Sequence, residues 1–356
     1  MLWKYLSRRL IAIIPTLFGI TLVAFVIINL APGGPIEQKL RQIRFAAAMG
    51  GAGGGGAGGG MTAGAGSHGA TGISDEVIES LKKQYGFDKP VLVRYGIWIK
   101  NLVRLDFGRS FTYEEPVIDV ILRKMPVSLQ FGIVSFLMSY LICIPLGVFK
   151  AVKNGHAFDR ATSVVLFMAY STPSFMLAIL LIVVFGGGSF FDWFPITGIK
   201  SDNYDDLTFF AKIWDRIHHF ILHLVCYMIG AFTTLTVLMK NSLLEEIKKD
   251  YVRTARAKGL EERWVIFKHA LRNALIPIAT GFGSFLSVFF AGSLLLETIF
   301  TLDGMGLLAF NAVLSRDYNV TMGLLVVQSF LYLLGNVLSD GLYVAIDPRI
   351  DFGSVE

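Results

Sequence analysis

The sequence predicts an all-α polytopic membrane protein with six transmembrane helices and both termini in the cytoplasm. Three observations carry this expectation: an apolar composition, six apolar runs long enough to cross a bilayer, and an uneven distribution of Lys and Arg between them. Of 356 residues, 54% are hydrophobic and only 17% charged, with mean hydropathy +0.59. Soluble domains are roughly half apolar but about a quarter charged. Such a chain spreads its apolar surface along spanning helices instead of around one core, so spans are counted here in place of domains.

The first run, 10–30, follows Lys4, Arg8 and Arg9 and is too long for an ordinary cleaved signal. Further runs cover 127–149, 161–185, 218–239, 274–296 and 320–346, each at or above the roughly 18-residue length of a spanning helix. Lys and Arg in short loops orient such a chain. The N-terminal tail, the loop with Lys150, Lys153 and Arg160, and the loop 240–273 with nine basic residues belong in the cytoplasm. Loop 186–217 carries five aspartates against three basic residues, and 297–319 carries only Arg316, so both face outward.

This divides the chain into residues 1–30 (tail and first span), an external segment 31–126, a five-helix membrane domain 127–346 that contains loop 240–273, and a cytoplasmic tail 347–356. Within the external segment, 49–72 is a Gly, Ala, Ser and Thr tract with too little apolar surface to order itself, read as a flexible insert. Residues 74–85 read as a short amphipathic helix, with Ser74 as N-cap and Gly86 at its end. The formal charge of +5 does not point to nucleic acid, because the basic residues flank apolar runs instead of forming a stripe.

Several chemistries are disfavoured by the residues themselves. Cys143 and Cys226 both lie inside apolar runs and read as packing residues, which removes a disulfide framework and a cysteine zinc site. The glycine tract contains GxGxxG spacings only by composition, and no GxxxxGK followed by Ser or Thr occurs, so any ATP hydrolysis falls to a partner. His218, His219 and His223 could hold a metal on one helix face, but without HExxH they read as outer-interface histidines. Charge is nearly absent from the spans; Asp340 reads as a cap or a polar contact with a partner helix, and Glu297 sits at the outer end of the fifth span. Gly132, Gly147, Gly230, Gly281, Gly283 and Gly292 read as positions of close helix packing.

The most informative stretch is EEIKKDYVRTARAKGLEERWVIFKH, 245–269, too polar to span. Helical spacing groups Tyr251, Ala255 and Gly259 near one face, where small side chains would let another protein approach the backbone. A docking helix followed by a turn is one reading; a solvated amphipathic loop obeying the charge rule is the other.

From YVRTARAKGL through KHALRNALIPI, the sequence resembles the cytoplasmic coupling loop of ABC importer permeases of the dipeptide and oligopeptide type. The resemblance extends to RRLIAIIPTLFGITLVAFVIINLAPGGP, YGFDKPVLVRYGIW, LDFGRSF, SRDYNV and DPRI, nearly the whole chain. The LAPGGP opening and the Gly-rich insert before YGFDKP are most similar to the Yej-type branch, associated with oligopeptides and microcin C. The resemblance implies the type I importer permease fold and a coupling loop formed by Tyr251, Val252, Arg253, Thr254, Ala255, Arg256, Ala257, Lys258, Gly259 and Leu260. Arg253 stands where the general motif has glutamate, and His223 and Asn319 stand where the family has proline. It also implies a non-catalytic permease without cofactors, forming half of a pore with a second permease, as heterodimer or homodimer. ATPase subunits would carry ATP and Mg, and a periplasmic binding protein would deliver the peptide. A different class, the autonomous channel or secondary transporter, would call for intramembrane charges or discontinuous helices in matched halves, of which the sequence offers little.

Overall fold

The computed structural model describes residues 2–30, 79, 88–188, 190–281 and 292–346, and every regular element among them is helical. The Gly-rich insert 49–72, the predicted helix 74–85 apart from residue 79, and the tail 347–356 lie outside the described residues.

Four helices are long and apolar enough to cross a membrane: Leu6–Leu30, Val117–Val152, Phe209–Glu246 and Tyr318–Gly341. Each contains most or all of one predicted run. Two extend well past it, because polar residues continue the helical hydrogen bonding beyond the apolar stretch. Phe209–Glu246 has 38 residues; at about 1.5 Å per residue it is roughly 57 Å long, nearly twice a hydrocarbon core of ~30 Å. It runs unbroken through His223, where family analogy expects a proline. The Val117–Val152 helix begins inside the predicted external segment and carries Pro126 and Pro145 internally.

The predicted single span 161–185 is corrected. It forms two helices, Ala157–Ser171 and Ser174–Phe185, bent by 104°. Pro173 has no N–H to continue the ladder and pushes the residue before it out of helical geometry, which is where Thr172 sits (φ −91, ψ 122). The bent pair raises the spanning count to at most five among the described residues. Most of the predicted span 274–296 lies outside them. Its described ends are the Ile276–Thr280 and Leu294–Ile299 helices, and the second starts only after Gly292 at φ +63 and extended Ser293. The predicted run is therefore not helical through to its end.

The chain divides into two compact units, one of Met1–Leu17, Ile121–Leu308 and Val327–Glu356, the other of Phe18–Val120 and Ala309–Val326. In the second unit Phe25, Tyr95 and Met322 are buried together. The Tyr95 hydroxyl lies 3.0 Å from Thr21 Oγ1 and donates to the Phe18 carbonyl at 3.1 Å. Fully buried Asp317 accepts hydrogen bonds from Ser110 Oγ at 2.5 Å, Thr112 N at 3.0 Å and Val320 N at 3.2 Å. The Asn319 amide donates to the Arg109 carbonyl at 2.8 Å. LDFGRSF and SRDYNV, some two hundred residues apart, thus form one hydrogen-bonded structure. Asn319 earns its place there by its side-chain donor, which proline lacks.

Two apolar cores lie among the described residues of the first unit. One gathers Phe131, Ala178, Leu222, Cys226, Leu296, Phe300 and Leu302. The other joins Val148, Ala151, Met239 and Leu243, at the ends of two long helices, to Val252, Ala255, Val265, Ile266, Ala270, Ala274 and Ile278. Through it the polar loop 240–273 is packed into the helix ends.

Candidate functional site

In loop 240–273 the chain leaves the Phe209–Glu246 helix, forms the short helix Asp250–Ala257, turns at Gly259, and returns through residues 262–274. Asp250 in the first turn and Arg256 in the last complement the helix dipole. Gly259, at φ +78, closes the helix as a Schellman motif: its own N–H reaches the Arg256 carbonyl at 2.9 Å, and Leu260 N reaches that of Ala255 at 3.4 Å. The return path includes a π-helical turn, Val265–Ala270, flanked by Glu262–Trp264 and Leu271–Ala274.

Val252 and Val265 are fully buried, and Ala255 is 7% exposed. Burying each valine contributes roughly 1.5–3 kcal/mol. Polar links add to the packing. Tyr251 donates from its hydroxyl to Glu246 Oε2 at 2.5 Å and accepts from Asn273 Nδ2 at 3.0 Å, while Lys249 reaches Glu246 Oε1 at 2.5 Å. Burial, and then the adjacent Glu246 carboxylate, push the Tyr251 phenol up to about 12. Arg256 forms a two-pronged pair with Glu262 at 2.9 and 2.6 Å, which raises the arginine and lowers the glutamate.

The expected docking face is corrected in one respect. Ala255 turns into the protein's own core, so it does not offer a partner close approach. Helical periodicity says which residues share a face but not which way that face points. Arg253, Thr254, Arg256, Ala257, Lys258, Gly259 and Leu260 are exposed, and an added Cβ at Gly259 would meet nothing within 4 Å.

Beside this loop lies a charged cluster that reading the basic residues as orientation signals missed. Lys150 is fully buried, and its ammonium donates to the Asp159 carbonyl (2.9 Å), Thr162 Oγ1 (2.7 Å) and Ser163 Oγ (2.8 Å). It also lies 3.1 Å from the Asp159 carboxylate. Lys240 contacts both oxygens of that carboxylate at 2.8 Å, and Gly155 N donates to it at 3.0 Å. One aspartate thereby joins three helices. The available signal was an acid standing among basic residues where an apolar run begins.

A second polar centre surrounds Glu297, 1% exposed. Its carboxylate accepts from Ser128 Oγ at 2.9 Å, Leu307 N at 2.7 Å and Ser293 N at 3.2 Å, while Ser128 accepts from Met305 N at 2.8 Å. Gly292 and Gly304 make room for it; a Cβ on either would stand 2.3 or 2.5 Å from Glu297 Oε1. Gly147 packs as expected, 2.6 Å from Met239 by the same test, whereas an added Cβ at Gly230 meets nothing within 4 Å among the described residues of this chain.

Of the three histidines, His219 and His223 are buried within the protein. His219 Nδ1 lies 2.8 Å from the Asp215 carbonyl, and His223 is packed between Phe131 and Phe300 with ring centres at 5.1 and 3.9 Å. Among the described residues no group of three or more His, Cys, Asp or Glu could hold a metal. Asp340 pairs with Arg9 at 3.0 Å, a contact between the last and first long helices.

Fold and site together define a multi-pass helical membrane protein whose polar loop 240–273 is built into the ends of its long helices. The model of the binding-protein-dependent transport system inner membrane component family matches residues 143–352, and the chain belongs to that family. It is 48% identical over 361 residues to the peptidoglycan transport system permease protein YejB of Agrobacterium fabrum, covering 98% of each chain. It is 44% identical over 358 residues to the inner membrane ABC transporter permease protein YejB of Escherichia coli O157:H7, again 98% of each. To the oligopeptide transport system permease protein AppB of Bacillus subtilis it is 33% identical over 349 residues, covering 98% of this chain and 99% of that one. The two YejB proteins match more closely than AppB does, in keeping with the Yej-type resemblance.

Proposed function

We propose that this chain is one of two permease subunits of an ABC importer that carries peptides, of oligopeptide or microcin C type, across the bacterial inner membrane. Relatives matched along nearly their whole length are named as oligopeptide and peptidoglycan transport system permeases. The protein adopts the type I importer fold with six spans and cytoplasmic termini, and the bent pair counts as one span. The division into 1–30, 31–126, 127–346 and 347–356 stands as the working domain plan. No cofactor binds this chain; ATP and Mg are held by the partner ATPases, and a periplasmic binding protein delivers the peptide to the outer face.

Loop residues Tyr251 to Leu260 couple the two processes. The observation that carries this reading is the exposed Arg253, Thr254, Ala257 and Gly259 surface on a helix whose other side is locked into the ends of the long helices. A push on that surface is transmitted to the pore helices through packed side chains, with no flexible linker between. Purification of the tagged chain from its native membrane in mild detergent tests the assembly. Recovery of an ATPase and a second permease supports it; a self-contained oligomer that conducts solute alone refutes it.

A further inference from the structure

The return path 262–274 has two apolar faces, and only one is used by the fold. Val265, Ile266, Ala270 and Ala274 enter the core with Val252 and Ala255. Trp264 and Phe267 remain 59% and 55% exposed. Exposed Arg263, Lys268 and Arg272 accompany them, and the Lys268 ammonium stands 5.9 Å from the centre of the Trp264 ring. Glu262, on the same stretch, is committed to Arg256.

We propose that this second face is a docking surface for anionic phospholipid of the cytoplasmic leaflet. Tryptophan and phenylalanine beside Lys and Arg are the composition of a helix lying at the membrane interface, with rings at headgroup depth and cations on phosphate. Three cations stand against one further exposed acid, Glu261, so the face is net positive and complements an anionic headgroup layer. The residues lie between a long apolar helix and the start of the next apolar run, so the chain here is leaving one bilayer crossing and approaching another. Lipid would then hold the return path from outside while the core holds it from inside. This rests on loop 240–273 facing the cytoplasm, but not on its binding an ATPase.

The assembled complex is reconstituted in nanodiscs of phosphatidylcholine containing a third phosphatidylglycerol, with one lipid or the other brominated. The Trp264 signal is taken as the emission lost in Trp264→Tyr. We expect brominated phosphatidylglycerol to quench that signal more than brominated phosphatidylcholine, and Lys268→Gln to reduce the preference by about fivefold, the worth of one interfacial cation. Equal quenching by both lipids overturns the anionic selectivity. No quenching by either, with Trp264 shielded from aqueous iodide only when the ATPase subunit is present, overturns the lipid assignment and gives the face to protein. Retention of the ATPase by Trp264→Tyr is scored separately, so failure of the coupling reading is distinguishable from failure of this one.

Discussion

Replacing Asp159 with alanine removes the carboxylate that joins Lys150 and Lys240 and leaves two cations in a buried setting, their side chains 1% and 16% exposed. Breaking a buried ion pair by deleting one partner costs about 3–5 kcal/mol. The lower end applies, for two reasons visible in the structure. The three donors of Lys150 keep the Asp159 carbonyl, Thr162 and Ser163, so the loss is one of charge compensation and not of hydrogen bonds. Lys240 retains some solvent access and can move its ammonium toward water. A destabilisation near 3 kcal/mol lowers the melting temperature of a chain this size by about 4 °C. Thermal unfolding in detergent, followed by size-exclusion fluorescence, measures it. Adding Lys240→Met to Asp159→Ala removes the more weakly held of the two stranded cations and restores part of the loss. An alanine variant as stable as the parent, or a double variant no better than the single, refutes the argument.

Gly304→Ala would place a Cβ 2.5 Å from Glu297 Oε1 and 2.6 Å from Ser128 Oγ, and should cost about 1–3 kcal/mol, read as an earlier melting transition. Gly259→Ala meets no neighbour but forces a side chain to φ +78; a loss of about 1–2 kcal/mol is expected, with less for Gly259→Asn. Gly259→Trp adds bulk to that strain and should uncouple ATP hydrolysis from uptake beyond the effect of Gly259→Ala, with membrane insertion intact; equal uptake in the two variants would count against docking there. The Tyr251 phenol is raised from about 10 to about 12, so the stability it contributes is complete below pH 10 and is lost as pH rises toward 12. Hydrogen exchange of loop 240–273 should show protection falling across that window in the parent and not in Tyr251→Phe.

Much of the architecture was legible because it rests on composition and periodicity. A membrane forces spanning segments to be long, apolar and internally hydrogen-bonded, so runs such as 10–30 and 218–239 appear as helices whatever they pack against. Pro173 was equally visible, yet its effect was not, since a proline can kink a span or fold it back by 104° and only the neighbouring packing selects between them. Loop 240–273 was found by its motif and polarity. Which side of the short helix is free was decided by where the Val148, Met239 and Leu243 side chains lie.

What the sequence determined by itself is therefore the membrane class, the presence of four of the long apolar helices, the basic loop and its family. Those properties are local, written in consecutive residues. Only the tertiary structure decided that Lys150, Asp159 and Lys240 share one ion cluster, that Asp317 binds Ser110, and that Glu297 occupies space left by two glycines. Each of these joins residues remote in the chain, and a buried charge acquires its role from the partners that fold brings within hydrogen-bonding distance.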